Sequence, residues 1–274
     1  MSTLTGKIDF AVIISVQNAN PNGDPLNGNR PRENYEGYGE ISDVCIKRKI
    51  RNRLQDMGET IFVQSDDRSD DGCKSLKERA EAYKELKAEI DKDKKADMNK
   101  CVELACKQWI DVRSFGQVFA FTKDKKGKGD KEDETEDGSK GKGVSIGVRG
   151  PVSIHQVLSC SPVDIISMQT TKSVSGESSK DTMGMKHRIE FGVYLVKGSI
   201  NCQLAEKTGF SDEDAEKIKK SLKTLFENDS SSARPEGSME VCRVYWWKHK
   251  EKTPSVSTAK IHSCLLYTSP SPRD

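Results

Sequence analysis

Two stretches near the N-terminus combine residue types that phosphate chemistry requires. The first is the loop Asn18-Ala-Asn-Pro-Asn-Gly-Asp-Pro25, in which proline fixes φ and Asn or Asp side chains bond their own backbone. There Gly23 is expected to supply a positive φ. The second is a helix opening at Ser42 or Asp43, with Lys47, Arg48 and Arg51 one to two turns later. Lysine and arginine on a rigid element, beside backbone N–H groups of a helix N-terminus or a glycine turn, form an anion site. A third stretch, Arg149-Gly150-Pro151, adds a cation at a tight turn. Phe115, Gly116, Met168 and Met183 offer apolar or stacking surface for bases, although such residues equally pack cores. A solvated charged face is the plainer reading of the basic helix.

Other chemistry is missing. No G-x-x-x-x-G-K-[ST] occurs, and the nearest spacing, Gly138 to Gly143, runs into Val144. G-x-S-x-G, H-E-x-x-H and a strand-linked G-x-G-x-x-G are also absent from the sequence. The four histidines (155, 187, 249 and 262) are isolated, and His155 sits in an alternating segment, where a structural hydrogen bond is expected. Eight scattered cysteines contain no C-x-x-C pair, which argues for reduced thiols over zinc or disulfides.

The elements that must position these residues follow from periodicity. Ile8, Phe10, Val12, Ile14 and Val16 alternate as a strand leading into the Asn-rich loop. Ile46, Ile50 and Leu54 form the apolar stripe of the basic helix, with Lys49 and Arg53 flanking it. Between Cys73 and Trp109, two charged helices are expected, joined near Asp91–Asp97, and a strand over Val112–Phe121 follows. Residues 123–143 hold seven Lys, seven acidic residues and five Gly, a composition that predicts a disordered loop. Strands are expected over Val144–Val148, from the Arg149 turn through Val157, over Phe191–Cys202 and over Val241–Trp247. A Ser173–Asp181 segment reads as flexible, and a capped helix starts at Ser211 with Ala215, Ile218, Leu222, Leu225 and Phe226 as its stripe. Alternating strands and helices with long excursions indicate an α+β or split-βαβ fold.

The chain has 274 residues, of which 32 % are charged, against a typical ~25 %. Net charge is only +2, so any nucleic-acid site must be local. The N-terminal apolar run Phe10–Ile14 is too short for a membrane span of ~20 residues or for an export signal, which predicts a cytoplasmic protein without a membrane partner. Residues 264–274 continue no earlier pattern and read as a non-native read-through tail. On that reading a final strand is missing, and the sheet carries an exposed edge.

Several segments together resemble a known family. They are Val16-Gln-Asn-Ala-Asn-Pro-Asn-Gly-Asp-Pro25, Gly28-Asn-Arg-Pro-Arg32 and Ile41-Ser-Asp-Val-Cys-Ile-Lys-Arg-Lys-Ile-Arg-Asn52, then Asp111-Val-Arg-Ser-Phe-Gly116, Val148-Arg-Gly-Pro-Val152, Thr182-Met-Gly-Met-Lys-His187 and Leu204-Ala-Glu-Lys-Thr-Gly-Phe-Ser-Asp-Glu-Asp214. The match, from about residue 7 to 263, resembles the backbone subunit of the type I-C CRISPR surveillance complex, Cascade, a RAMP-superfamily family numbered seven among the Cas proteins.

The resemblance implies a single domain over 1–263: a modified RNA-recognition-motif (ferredoxin-like) palm, a helical fingers insertion over 60–110 and a β-hairpin thumb over 164–190. It implies polymerisation of several copies along CRISPR RNA, kinking of the guide, target DNA bound through that guide, other Cascade subunits as partners, and no cofactor or metal. Carried onto matching positions, it assigns RNA binding to Asn20, Asn22, Gly23, Arg32, Ser42, Lys47, Arg48, Arg51, Arg149, Met168, Met183, Lys186 and His187. Confined positive charge suits a subunit that must not repel its copies. Two rivals remain. One is an RNA-cleaving relative using Asp24 or Asp43, which otherwise read as a turn residue and a helix cap; the other is a scaffold that never touches RNA.

Overall fold

The alternating residues Ile8 to Val16 build the central strand of an antiparallel sheet. A computed structural model describes residues 3–92, 97–121, 144–171 and 183–265, without the side chains of residues 120, 121, 144 and 145. The chain starts with β1 (Ile8–Ala19), passes the short pair β2 (Gly23–Asp24) and β3 (Arg30–Pro31), and reaches β4 (Tyr38–Ile41) and α1 (Asp43–Asp56). An insertion follows with α2 (Leu76–Ala82), α3 (Lys84–Ile90), α4 (Met98–Gln108), α5 (Ile110–Phe115) and the paired strands β5 (Gly116–Phe121) and β6 (Val144–Arg149). Strands β7 (Val152–Ile154), β8 (Val157–Pro162), β9 (Ile165–Thr171) and the 18-residue β10 (Met183–Ile200) return to the sheet. Then come α6 (Cys202–Thr208), α7 (Asp212–Lys223), β11 (Met239–Lys248) and α8 (Thr258–Cys264).

The sheet order is β11-β1-β10-β8-β4, and β7 and β9 also pair with β10. Every one of these pairings is antiparallel. One sheet face supplies Phe10, Val12, Ile14, Val16, Tyr194 and Val196 to the main core. Ile46, Ile50 and Leu54 of α1 and Ala215, Ile218 and Leu222 of α7 are buried in the same core. Apolar burial of this kind contributes about 1.5–3 kcal/mol for each large side chain. Gly198 has to be glycine: a Cβ there would lie 2.2 Å from the Phe10 ring. Ser211 caps α7 through a reciprocal box with Asp214, as its spacing predicts.

The insertion has its own core of Phe62, Ala80, Leu86, Cys101, Ala105, Trp109, Val112, Phe119, Ile146 and Val148. Phe62 is central, with ring centroids 4.7 Å from Trp109 and 5.0 Å from Phe119. Asp111 joins the two cores. Its buried carboxylate accepts from the Phe62 and Val63 amides at 2.7 and 3.1 Å and from Arg51 Nε of α1 at 2.9 Å.

Several expectations need correction. The helix expected from Leu76 to Ile90 breaks at Tyr83, whose extended backbone turns its ring edge-on to Trp109. Three helices therefore occupy the stretch read as two. Ile110–Phe115 is helical, so the strand expected from Val112 starts only at Gly116; the helical turn brings Asp111 under the Phe62 amide, and Gly116 leaves it at φ +81°. The strand expected through Val157 stops at Ile154, and His155 lies between β7 and β8. Helices α6 and α8, capped by Asn201 and Ser257, were not foreseen. The low-complexity stretch 123–143, the Ser-rich segment 173–181 and nearly all of the proposed tail lie outside the described residues. Among the described residues, β11 is an outermost strand, and no helix is long and apolar enough to cross a membrane.

Replacing Asp111 with Ala strands the Arg51 guanidinium and two buried amides. Removing one partner of such a buried pair costs about 3–5 kcal/mol. Urea unfolding of D111A should show that loss, and a loss below about 1 kcal/mol would mean that the two cores are not coupled through this carboxylate.

Candidate nucleic-acid interface

The loop after β1 is fixed by its asparagines. Asn18, Gly28 and Asn29 take the left-handed conformation, at φ +53°, +55° and +59°. Gly23 does not, which corrects the expected positive φ. Its glycine identity has another cause: a Cβ there would lie 2.0 Å from Asn29 Oδ1. Asn20 Nδ2 donates to the Asn29 carbonyl at 2.6 Å, and its own amide donates to the Ala233 carbonyl at 2.9 Å. The buried Asn20 Oδ1 has no partner.

Asn22 ties this loop to the helix. Its Oδ1 accepts from the Ser42 amide at 2.8 Å, while Ser42 Oγ accepts from the Cys45 amide at 3.2 Å. Ser42, not Asp43, is the cap. Asp24 accepts from the Leu26 amide at 3.2 Å and lies 3.5 Å from Arg32 Nη2, so it serves the loop turn. Arg32 Nε is buried without a partner.

The basic helix is more committed internally than its sequence indicates. Lys47 pairs with Asp43 at 2.9 Å, a contact that holds the Asp43 carboxyl below its usual range. Arg48 donates to the Val63 carbonyl at 2.7 Å, and burial, aided by the nearby Arg51 charge, lowers its pKa. Arg51 binds Asp111 and lies 4.9 Å over the Phe115 ring, so Phe115 packs within the fold. Lys49, read as a flanking residue, is buried against Asp229, and desolvation pushes its ammonium pKa down. A polar crevice of about 310 Å³ runs over α1, lined by Arg48, Asn52, Arg68, Asp229, Arg234 and Ser65, whose Oγ is buried and unpartnered.

The β9–β10 hairpin stands at the other side of the loop. Met183 pairs with Thr171, Met185 with Gln169 and His187 with Ser167, whereas Met168 pairs with Lys186. Side chains alternate along a strand, so Met183, Met185 and His187 share one face, and Met168 and Lys186 share the other. Met168 and Met183, both read as apolar surface for bases, thus point to opposite faces. All three methionines are exposed. Ser167 Oγ joins the pieces: it accepts from Arg30 Nη1 at 3.2 Å and lies 2.8 Å from His187 Nδ1.

The structure therefore gathers Asn20, Asn22, Gly23, Arg32 and Ser42 around one loop, with His187 reached through Arg30 and Ser167. Arg149 is exposed at the end of β6, opposite Gly116, and belongs to the insertion. Arg30 and Ser167 were missed. Arg30 lies in the Gly28–Arg32 segment and Ser167 is adjacent to Met168, but only the strand register reveals that they meet.

Fold and site together define an α+β protein on an antiparallel sheet, with a rigid Asn-rich loop at a helix N-terminus. The chain belongs to the CRISPR-associated protein Cas7 family, whose model matches residues 6–272. A protein of Haloferax volcanii, CRISPR-associated protein Cas7, is 28 % identical over 226 residues, which cover 80 % of this chain and 63 % of that relative's length. Among solved structures, a chain of a "CRISPR RNA-guided surveillance complex, pre-nicking" superposes with TM-score 0.45 at 13 % identity, covering 95 % of this chain and 86 % of that one. A chain of "Type III-B Cmr-beta bound to cognate target RNA" gives 0.43 at 10 % identity, over 89 % and 61 %.

Asn22→Ala leaves the Ser42 amide without its acceptor, a loss of about 1–3 kcal/mol. Asn22→Asp keeps the acceptor and should recover most of it. Chemical denaturation of both variants checks this, and equal destabilisation by the two would remove the Asn22–Ser42 bond as the cause.

Proposed function

We propose that this chain is a non-catalytic backbone subunit of a type I-C Cascade, which polymerises along CRISPR RNA and holds the guide for target DNA. The observation that carries the reading is the convergence of the Asn-rich loop, the α1 N-terminus and the β9–β10 hairpin on one polar, cation-bearing surface. Backbone amides, Arg30, Lys47 and His187 suit phosphates there, while Met183 and Met185 suit unstacked bases. Such contacts tolerate any guide sequence, and base pairing then reads the target, a division of labour described for another RNA-guided effector. The methionine-bearing hairpin is the element suited to kink the guide. The type I-C assignment rests on the sequence segments from Val16 to Asn52.

The architecture supports the same reading. The order β11-β1-β10-β8, with α1 and α7 on one face, is what a ferredoxin-like β-α-β-β-α-β unit produces. On that reading the α2–α4 region is the fingers and the β9–β10 hairpin the thumb. The protein would act in the cytoplasm beside further copies and other Cascade subunits. For the nuclease rival, Asp24 accepts from the Leu26 amide beside Arg32, and Asp43 pairs with Lys47 in the first turn of α1, which favours structural roles for both.

The test is RNA binding by charge-reversal variants with RNA integrity followed in Mg²⁺. Arg51 is unsuitable because its reversal would confront Asp111. Arg30→Glu and Lys47→Glu should each weaken binding severalfold on any sequence and reduce the salt slope by about one. Undiminished affinity in both would remove this surface from the RNA site, and RNA shortened by the parent chain but not by D24A would establish the nuclease reading.

A further inference from the structure

Three of the four histidines, isolated in sequence, meet on the sheet face opposite the main core. Helix α8 lies across the end of that face, against β1. Beneath it Asp9 and Ala11 are fully buried, although they belong to the outward-facing set of β1. Asp9 accepts from Thr258 Oγ1 at the start of α8 at 2.9 Å, and its other oxygen lies 2.8 Å from His249 Nε2. Lys7 Nζ is 3.7 Å from Asp9 and also reaches Thr258. From α8 itself, His262 is 4 % exposed and its Nε2 has no partner. Its ring stands edge-on to His155, 5.6 Å away. Among the described residues no group of three or more His, Cys, Asp or Glu is placed to hold a metal, so the cluster is not a metal centre.

We propose that α8 is an acid-sensitive strap: protonation of His262 releases the helix and uncovers the sheet face at Asp9 and Ala11. The face so exposed is continuous with Ile13, Leu195 and the exposed Leu158, which lie in one row across β1, β10 and β8. The segment leaving β11 is held by Glu251 and Lys252, but the stretch 253–257 just before α8 is mostly exposed, so the helix can swing about it without disturbing the sheet.

The charges around His262 set the direction. Burial is the largest influence and lowers its pKa from the ordinary 6.5; Asp9 of β1 and the Gly198 backbone of β10 oppose this, while His155 before β8 and Lys197 of β10 reinforce it. Lys7 partly neutralises Asp9 at the oxygen that Thr258 bonds, His249 Nε2 lies against the other oxygen, and Lys260 of α8 is exposed. The released ring binds a proton more tightly than the docked ring. Docking is therefore at full strength above the ordinary imidazole range and weakens as pH falls through it, until the lowered docked value is reached.

Hydrogen–deuterium exchange of the full chain at about pH 7.5 and about pH 5, with labelling times matched for intrinsic exchange, tests the strap. Amides of α8 should lose protection severalfold at the lower pH while α7 keeps its own. His262→Phe, which stays apolar and cannot titrate, should abolish the difference. His155→Gln removes the neighbour that opposes protonation of His262 and should make the loss smaller, with the parent α8 intact. Unchanged α8 protection at about pH 5, or the same loss in H262F, would overturn the proposal.

Discussion

A buried carboxylate anchors the insertion of this molecule to its main core. Asp111 sits at the meeting point of α1, the 62–63 segment and α5: its bonds to the Phe62 and Val63 amides lie within the insertion, and its bond to Arg51 crosses to α1 of the main core. A buried charge is tolerable only when paired and hydrogen-bonded, so Arg51 and the Phe62 and Val63 amides are a set. With that set formed, α1 cannot rotate about its axis, and the Asn-rich loop bonded to its first turn inherits a fixed position. The bidentate Arg113–Asp214 pair, at 2.9 and 2.7 Å, ties α5 to α7 in the same manner.

This division of labour explains why near-neutral composition coexists with local positive charge. Much of the cationic content is spent internally, on Asp111, Asp229, Asp214 and Asp71. Arg79 alone meets Asp71, the Phe62 carbonyl, Gln64 and Ser69, and its pairing holds the Asp71 carboxyl down at about 2. What remains outward around the loop and hairpin includes Arg30, Arg32, Lys186 and the partly exposed Lys47. RNA binding at this surface, as proposed, would gain from geometry more than from field strength.

The parts of the fold that were legible in the sequence are those set by local periodicity and capping. The alternation from Ile8 to Val16, the Ser42 cap, the Ile46–Leu54 stripe and the Ser211 box each determine an element without distant help. The failures share a cause. Val112–Phe121 reads as apolar and strand-like, but Asp111 is needed under Phe62, and a long-range bond overrides the local pattern. Lys49 was placed beside the stripe because Asp229 lies 180 residues away. Likewise no periodicity could show that Met168 and Met183 oppose each other, since that depends on hairpin register. The histidines looked isolated for the same reason: only the packing of α8 on the sheet brings His155 to His262.

The proposed function requires one RNA to gather several copies of this chain along its length. Native mass measurement with single-stranded RNAs of increasing length tests it directly. Mass should grow in whole-subunit steps as the RNA lengthens, with growth suppressed by salt. A stoichiometry fixed at one chain per RNA, whatever the length, would contradict it.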